Sequence, residues 1–270
     1  MKRLLFIFFT CACFVACSSR LQIKSNSVIG GITGTAFYKQ AAGYTWQLRD
    51  SLAVEQILSG NMPSFLKKFT PIHVFIFDST SNKKINATFF VLPDYLSVGT
   101  QDDWARVPLT PMAAQKIADS FNCFLPTKKM VDDIYNAAVV KLEPVPMFAF
   151  RDSTPTMYQH HLIIEGQRKG QKRLIAGIKK DVVVSGKILK DNKPNRVAIY
   201  GWHQLNAKPI QPLYTGHVNW YVDYSHGIRL VFQQIKVDRK WMDYTDVLQN
   251  EKLHALICNE QDCDFYKYPY

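Results

Sequence analysis

The reactive side chains of this chain are concentrated between His203 and Arg229. Three of its seven histidines, His203, His217 and His226, fall there with Asp223 and Ser225. Pro209, Pro212, Gly216 and Gly227 punctuate the stretch, so much of it reads as loop between strands, where sites tend to be carried. Three chemistries suit these residue types. His217, Asp223 and His226, with His203 as a further donor, are the donor types of a zinc ion that keeps one position for a water ionised near neutral pH. Ser225 could serve as a hydroxyl nucleophile with a histidine as base. Its flanks, Asp223-Tyr224 and His226-Gly227, are not a Gly-x-Ser-x-Gly elbow. Cys123 could serve as a thiolate, but Pro126 and Thr127 put it ahead of a helix and not on its first turn, where the dipole helps little. Structural roles compete with all three: Asp223 could cap a turn or pair with Arg229. His73 in a strand, His254 in a helix and the adjacent His160-His161 read as structural.

Two strands must position this cluster. Arg196 to Trp202 is β-rich, with His203 at its exit, and Ile228 to Val237 is β-rich, with His226 before its entrance. If the two run antiparallel, exit and entrance share one end of a sheet. The intervening loop can then return His217 and Asp223 to that end, and a common cleft for His203, His217, Asp223 and His226 is expected. Around them the chain alternates in blocks. A helix is expected over Thr45–Leu58. A hairpin follows, from Ile72–Asp78 and Ile85–Leu92 across the polar Ser79–Lys84. Helices are opened by Thr110-Pro111, by Thr127 and by Thr154-Pro155, the last running to about His161. A strand over Asp181–Ile188 and a helix over Trp241–Leu256 complete the reading. Blocks of this kind predict an α+β domain with a mixed or antiparallel sheet and several flanking helices, as a single globular domain over 44–270.

Ser225-His226-Gly227-Ile228-Arg229 resembles the active-site string of L,D-transpeptidases, but lacks the Cys that stands there between Gly and Ile and forms the acyl-enzyme. The resemblance therefore implies no transpeptidase activity. Arg196 to Val231, with Ala87 to Ala138, resembles uncharacterised bacterial envelope proteins, a likeness that brings no activity with it.

The N-terminus sets the compartment. Met1-Lys2-Arg3 precedes an apolar run from Leu4 to Ala16, the layout of a signal peptide over 1–16. The run falls short of the ~20 residues a helix needs to cross a bilayer. Its end, Val15-Ala16-Cys17, resembles the lipobox of bacterial lipoproteins, with Phe14 where Leu is usual. That resemblance implies a diacylated, palmitate-bearing Cys17 and a membrane-anchored protein of the cell envelope, facing periplasm or exterior. Residues 17–43, rich in Ser, Gly, Ala and Thr, read as the lipidated N-terminus and tether. Cys258 and Cys263, four residues apart, can close a disulfide in an oxidising envelope, which leaves Cys123 single. With 47% apolar and 20% charged residues the chain builds a substantial core. Its net charge of +11 is dispersed and suits an anionic polymer or membrane surface; no nucleic acid is expected for an exported protein. Two functions fit: an envelope hydrolase acting on a peptide or glycan polymer through His203, His217, Asp223, Ser225 and His226, with zinc as the candidate cofactor, or a non-catalytic surface lipoprotein binding a cell-wall or surface polymer or a protein partner.

Overall fold

The chain's elements are laid out around two β-sheets, in a computed structural model that describes residues 21–25, 30–78 and 82–270. The signal peptide and Cys17 lie outside the described residues. So does part of the expected turn at Ser79–Lys84.

Helices α1 (Gly34–Ala41) and α2 (Trp46–Leu58) come first, capped by the Thr33 and Thr45 side chains. Strands β1 (Thr70–Asp78) and β2 (Lys83–Val91) form the expected antiparallel hairpin, Thr70 facing Val91 and Asp78 facing Lys83. A short pair follows, β3 (Ser97–Gly99) and β4 (Trp104–Arg106). Helix α3 (Pro111–Ser120), strand β5 (Cys123–Phe124) and helix α4 (Lys128–Ala137) come next. Thr110 and Thr127 accept from the backbone N–H groups of Ala113 and Met130, the caps their positions predict. Strand β6 (Val140–Lys141), helix α5 (Thr154–Arg168) and strand β7 (Ile175–Ala176) lead to the second sheet.

That sheet holds four strands in the order β10 (Pro209–Val218), β9 (Arg196–His203), β8 (Lys180–Val183), β11 (His226–Gly227). The chain then passes into the larger sheet through β12 (Val231–Phe232), β13 (Gln234–Val237) and β14 (Lys240–Asp243), which join β1, β2 and β5, and ends after helix α6 (Tyr244–Gln249). The result is an α+β fold in one globular domain. Its largest core packs α1, α2 and α3 against Val182, Val197, Ile199 and Trp202 of the four-stranded sheet. A second lies between the larger sheet, α4 and α6, around Phe89, Phe124, Ile134, Ile235 and Val247. Among the described residues no helix is long and apolar enough to cross a membrane.

Five expectations are corrected. The tether read over 17–43 is structured in its second half. Small residues there hide a helix whose Phe37, Tyr38 and Ala41 are buried, and Gly34 is seated so closely on Trp104 that a Cβ would lie 2.3 Å from its carbonyl carbon. Helix α5 runs on past His161 to Arg168, because its inner face continues through Ile164 and Arg168; that face is largely polar, which obscures its period. The strand read over Asp181–Ile188 stops at Val183, where Ser185 caps a 3-10 turn over Gly186–Ile188. The strand read over Ile228–Val237 is broken into two pieces of the larger sheet, Val231–Phe232 and Gln234–Val237, and its first three residues cross over from the smaller sheet, which the chain leaves at Gly227. Leu230 and Ile228 carbonyls accept from Leu92 and Leu96 N–H groups at the crossing. The helix read over Trp241–Leu256 is a strand, a short helix capped by Asp243, and a 3-10 turn over His254–Leu256.

Cys258 and Cys263 form a disulfide, with Cα atoms 6.3 Å apart. Cys123 is the free cysteine among the described residues; it is buried, and burial pushes its thiol pKa up.

Candidate functional site

Strand β8 sets the site. It pairs antiparallel with β9, Lys180 facing Gly201, and parallel with β11, Lys180 facing His226. The exit of β9 and the entrance of β11 therefore stand at one level, separated by β8 and not adjacent. Gly227 is required at that entrance. A Cβ there would meet the Tyr95 ring at 2.5 Å and Lys179 Cβ at 2.7 Å, so only glycine admits the chain between them.

His217, Asp223 and His226 come together at this end. The His217 and His226 ring centroids are 6.0 Å apart, and Tyr221 packs against both, at 4.7 and 6.0 Å. His226 Nε2 lies 4.0 Å from Asp223 Oδ1. Asp223 is 1% exposed and its oxygens are well supplied. Oδ1 accepts from the Ser225 N–H at 2.8 Å and the Ser225 hydroxyl at 2.5 Å; Oδ2 accepts from Arg151 Nη2 at 2.9 Å and Tyr221 Oη at 3.4 Å. Its partner is thus Arg151, not Arg229. Burial works to raise the Asp223 pKa, but His226, the Ser225 bonds and the Lys180 charge outweigh it and bring it down to about 2. Burial pushes His226 down to about 4 against the pull of Asp223, so its ring is neutral at neutral pH. His226 Nε2 is buried and has no hydrogen-bond partner among the described residues. Burial also lowers His217, which stays half-buried at the mouth.

His203 does not join them. The end of β9 packs on α4, where His203 Nε2 bonds Asp132 Oδ1 at 2.9 Å and the ring stacks on Tyr135 at 4.5 Å. Ser225 is also corrected as a nucleophile. It is fully buried, with its hydroxyl donated to Asp223, and its oxygen is out of reach of a substrate at the surface. Among the described residues no three His, Cys, Asp or Glu side chains are grouped so as to hold a metal ion. The zinc reading of His217, Asp223 and His226 is therefore not carried forward: Asp223 has both oxygens committed to donors. Cys123 is buried beneath β12 and α3, far in the fold's core, with its thiol on the Phe121 carbonyl.

Two features escaped sequence reading. The first is Lys180, whose side chain stands beside His226. Its Nζ lies 5.3 Å over the Trp202 ring and has no hydrogen-bond acceptor among the described residues. Trp202 has φ 58°, a left-handed value that is rare for a bulky residue and tends to mark functional sites. The second is a buried polar layer behind the site. Lys179 donates to the Tyr224 carbonyl and meets His160 Nδ1 at 3.1 Å. Arg106 holds Asp94 by two bonds of 2.8 and 2.6 Å, Glu165 at 2.8 Å and His161 Nδ1 at 3.2 Å. Burial and the Arg106 charge bring Lys179 down to about 7. No residue spacing announces this layer, because its members come from five separate elements and loops.

The chain segments that carry Arg151 and His217 expose apolar rings. Phe148 and Phe150 are 91% and 81% exposed, on a loop pinned at both ends: Met147 N–H donates to Tyr224 Oη, and the Arg151 carbonyl accepts from Tyr224 N–H. Trp220 and Tyr214 are also exposed, beside His217 in sequence.

No protein-family model matches the chain, and neither curated proteins nor solved structures give a significant match.

Proposed function

We propose that the chain is a lipid-anchored protein of the cell envelope that binds an envelope polymer, glycan before peptide, at the His217–Asp223–His226 face without cleaving it. The observation that carries this is the disposition of Ser225. The hydroxyl that could have attacked is buried and bonded to Asp223, while the groups left at the surface are binding groups: the Phe148, Phe150, Tyr214 and Trp220 rings and the Arg151 side chain. Exposed aromatic faces stack on sugars, and dispersed positive charge attracts acidic polymers. Anchoring rests on the lipobox-like Val15-Ala16-Cys17.

A second reading has its own observation. His226 Nε2 is buried, unpartnered and near Asp223, an arrangement in which an imidazole can take a proton from water. Hydrolysis of the same polymer through His226 is the alternative.

The purified chain is expected to pellet with insoluble cell-wall glycan and to release no soluble fragments. Trp220→Ala should weaken pelleting severalfold, and Ser225→Ala should leave it unchanged. Fragment release that His226→Ala abolishes would establish the hydrolase instead. Separately, Cys17→Ala should move the protein from the membrane fraction to the soluble one. A variant that stays with membranes, with an unchanged mature mass, removes the lipid anchor.

A further inference from the structure

We infer that Lys180, His226 and His217 form a carboxylate-binding site, so that the group recognised at this face is a carboxylate carried by the polymer. The inference rests on the binding reading above and names the ligand chemistry of that same site.

Lys180 and His226 are register partners on adjacent parallel strands, so their side chains leave the sheet side by side. Lys180 ammonium has three N–H donors and no acceptor among the described residues. His226 Nε2 is a buried polar atom with no hydrogen-bond partner among the described residues. Leaving such groups unpaired is costly in a fold, and an oxygen from outside the chain, of water or of a ligand that displaces it, meets that cost. His217, whose ring touches Tyr214, Tyr221 and His226 and makes no side-chain hydrogen bond among the described residues, supplies a third nitrogen at the open side.

The sign and size of the ligand's charge follow from the ions around it. Asp223 accepts four hydrogen bonds already, so it orients the site and does not seek a cation. Of the cations nearby, Arg151 is paired with Asp223 at 2.9 Å and Arg196 stands 3.9 Å from Asp191. Lys180 has no acid within ion-pair distance among the described residues. With Lys179 turned behind the face onto the Tyr224 carbonyl and His160 Nδ1, Lys180 is the one unmatched positive charge at the face, which suits a monoanion. A carboxylate matches in charge and in acceptors, with two oxygens for an ammonium and an imidazole; a phosphate dianion would leave a charge unmatched. The Trp202 ring under the ammonium and the Tyr221 ring against the imidazoles wall the site with apolar surface, which strengthens a charge-assisted bond.

The test uses the purified full chain labelled with ¹⁵N at histidine, and N-acetylglycine as the probe. Saturable shifts of the His226 and His217 ring nitrogens are expected with N-acetylglycine and not with its carboxamide. Lys180→Met should weaken binding about tenfold or more, the loss of one charge-assisted bond, and Lys180→Arg should restore part of it. Because Lys180 is buried, His217→Ala, at the half-buried rim, gives an independent check and should weaken binding severalfold. Equal shifts from acid and amide, full binding by a folded Lys180→Met, or tighter binding of inorganic phosphate would each overturn the inference. Glycan pelleting that N-acetylglycine does not compete would sink the carboxylate site and leave the polymer reading standing. Carboxylate binding without pelleting would do the reverse.

Discussion

Arg106→Met is expected to destabilise the protein by about 3–5 kcal/mol, the usual consequence of removing one member of a buried ionic cluster. Arg106 and Asp94 are each 1% exposed, and the guanidinium supplies two of the three close bonds to Asp94, the Tyr95 N–H giving the third, while also holding Glu165 and His161. These contacts fasten β4 to α5. Methionine fills much of the volume, so the loss is mainly the unpaired Asp94 carboxylate. Burial raises the Asp94 pKa, but the Arg106 charge and bonds outweigh it and hold the carboxyl below its ordinary range. Without Arg106 the carboxyl titrates upward and can be neutralised by mild acid. The deficit relative to wild type, measured by urea denaturation, should therefore shrink between pH 7 and pH 5. Arg106→Met with Asp94→Leu should recover part of the loss. A deficit under about 1 kcal/mol, the range of exposed ion pairs, would show that the cluster is solvated and not a structural clamp.

Stability should fall steeply as the pH is lowered from 6.5 towards 4. His160, His161 and His226 are buried. Burial first, then the Lys179 and Arg106 charges for His160 and the Arg106 and Lys179 charges for His161, push these two down, His160 to about 2; burial brings His226 to about 4. Below pH 6.5 the unfolded chain takes up protons that the native state refuses. Each such imidazole then removes about 1.4 kcal/mol per pH unit until its native pKa is reached. Asp181 works in the opposite sense. Burial raises it to about 6 against the attraction of Arg229, so between pH 3.8 and 6 the native state binds one proton more than the unfolded chain. One carboxyl against three imidazoles leaves a net loss of several kcal/mol by pH 4.5. Asp223, lowered to about 2, adds to the loss only below pH 3.8. Urea midpoints at pH 7.5, 6 and 5 measure the slope, and His160→Gln should flatten it by about a third above pH 6 and about half below it, where Asp181 offsets one imidazole. Midpoints that do not move over this range would mean that the imidazoles charge freely in the native state.

Both effects arise from residues that sequence reading set aside. His160-His161 reads as a poor ligand pair on one helix. It hides that both rings are buried, one on Lys179 and one on Arg106. Threonine caps and prolines made α3 and α4 legible, because a cap is a local device written within four residues, and apolar spacing made α2 so. The hairpin of β1 and β2 was legible for the same reason. The C-terminal third was not. There the chain changes sheet at Ile228–Leu230 and exchanges strand for helix at Asp243–Tyr244, decisions made by partners far away in sequence. The site was half legible. Clustering found His217, Asp223 and His226, but spacing could not reveal that α4 claims His203 through Asp132 and Tyr135. Nor could it reveal that Asp223 claims the Ser225 hydroxyl, or that Lys180 stands beside His226.

Strand β10 is the outermost member of the four-stranded sheet, and one of its edges faces away from β9. A ten-residue strand with a bare edge invites a second molecule to continue the ladder. Here the pairing with β9 slips between Gln211 and Tyr214 and again between Tyr214 and His217, and Pro209 and Pro212 withhold two N–H groups. Two slips twist the outer edge out of line, and the prolines leave gaps in any ladder laid along it. The irregularity that brings His217 to the site thus also blunts self-association, keeping this border from growing into a sheet shared by crowded neighbours.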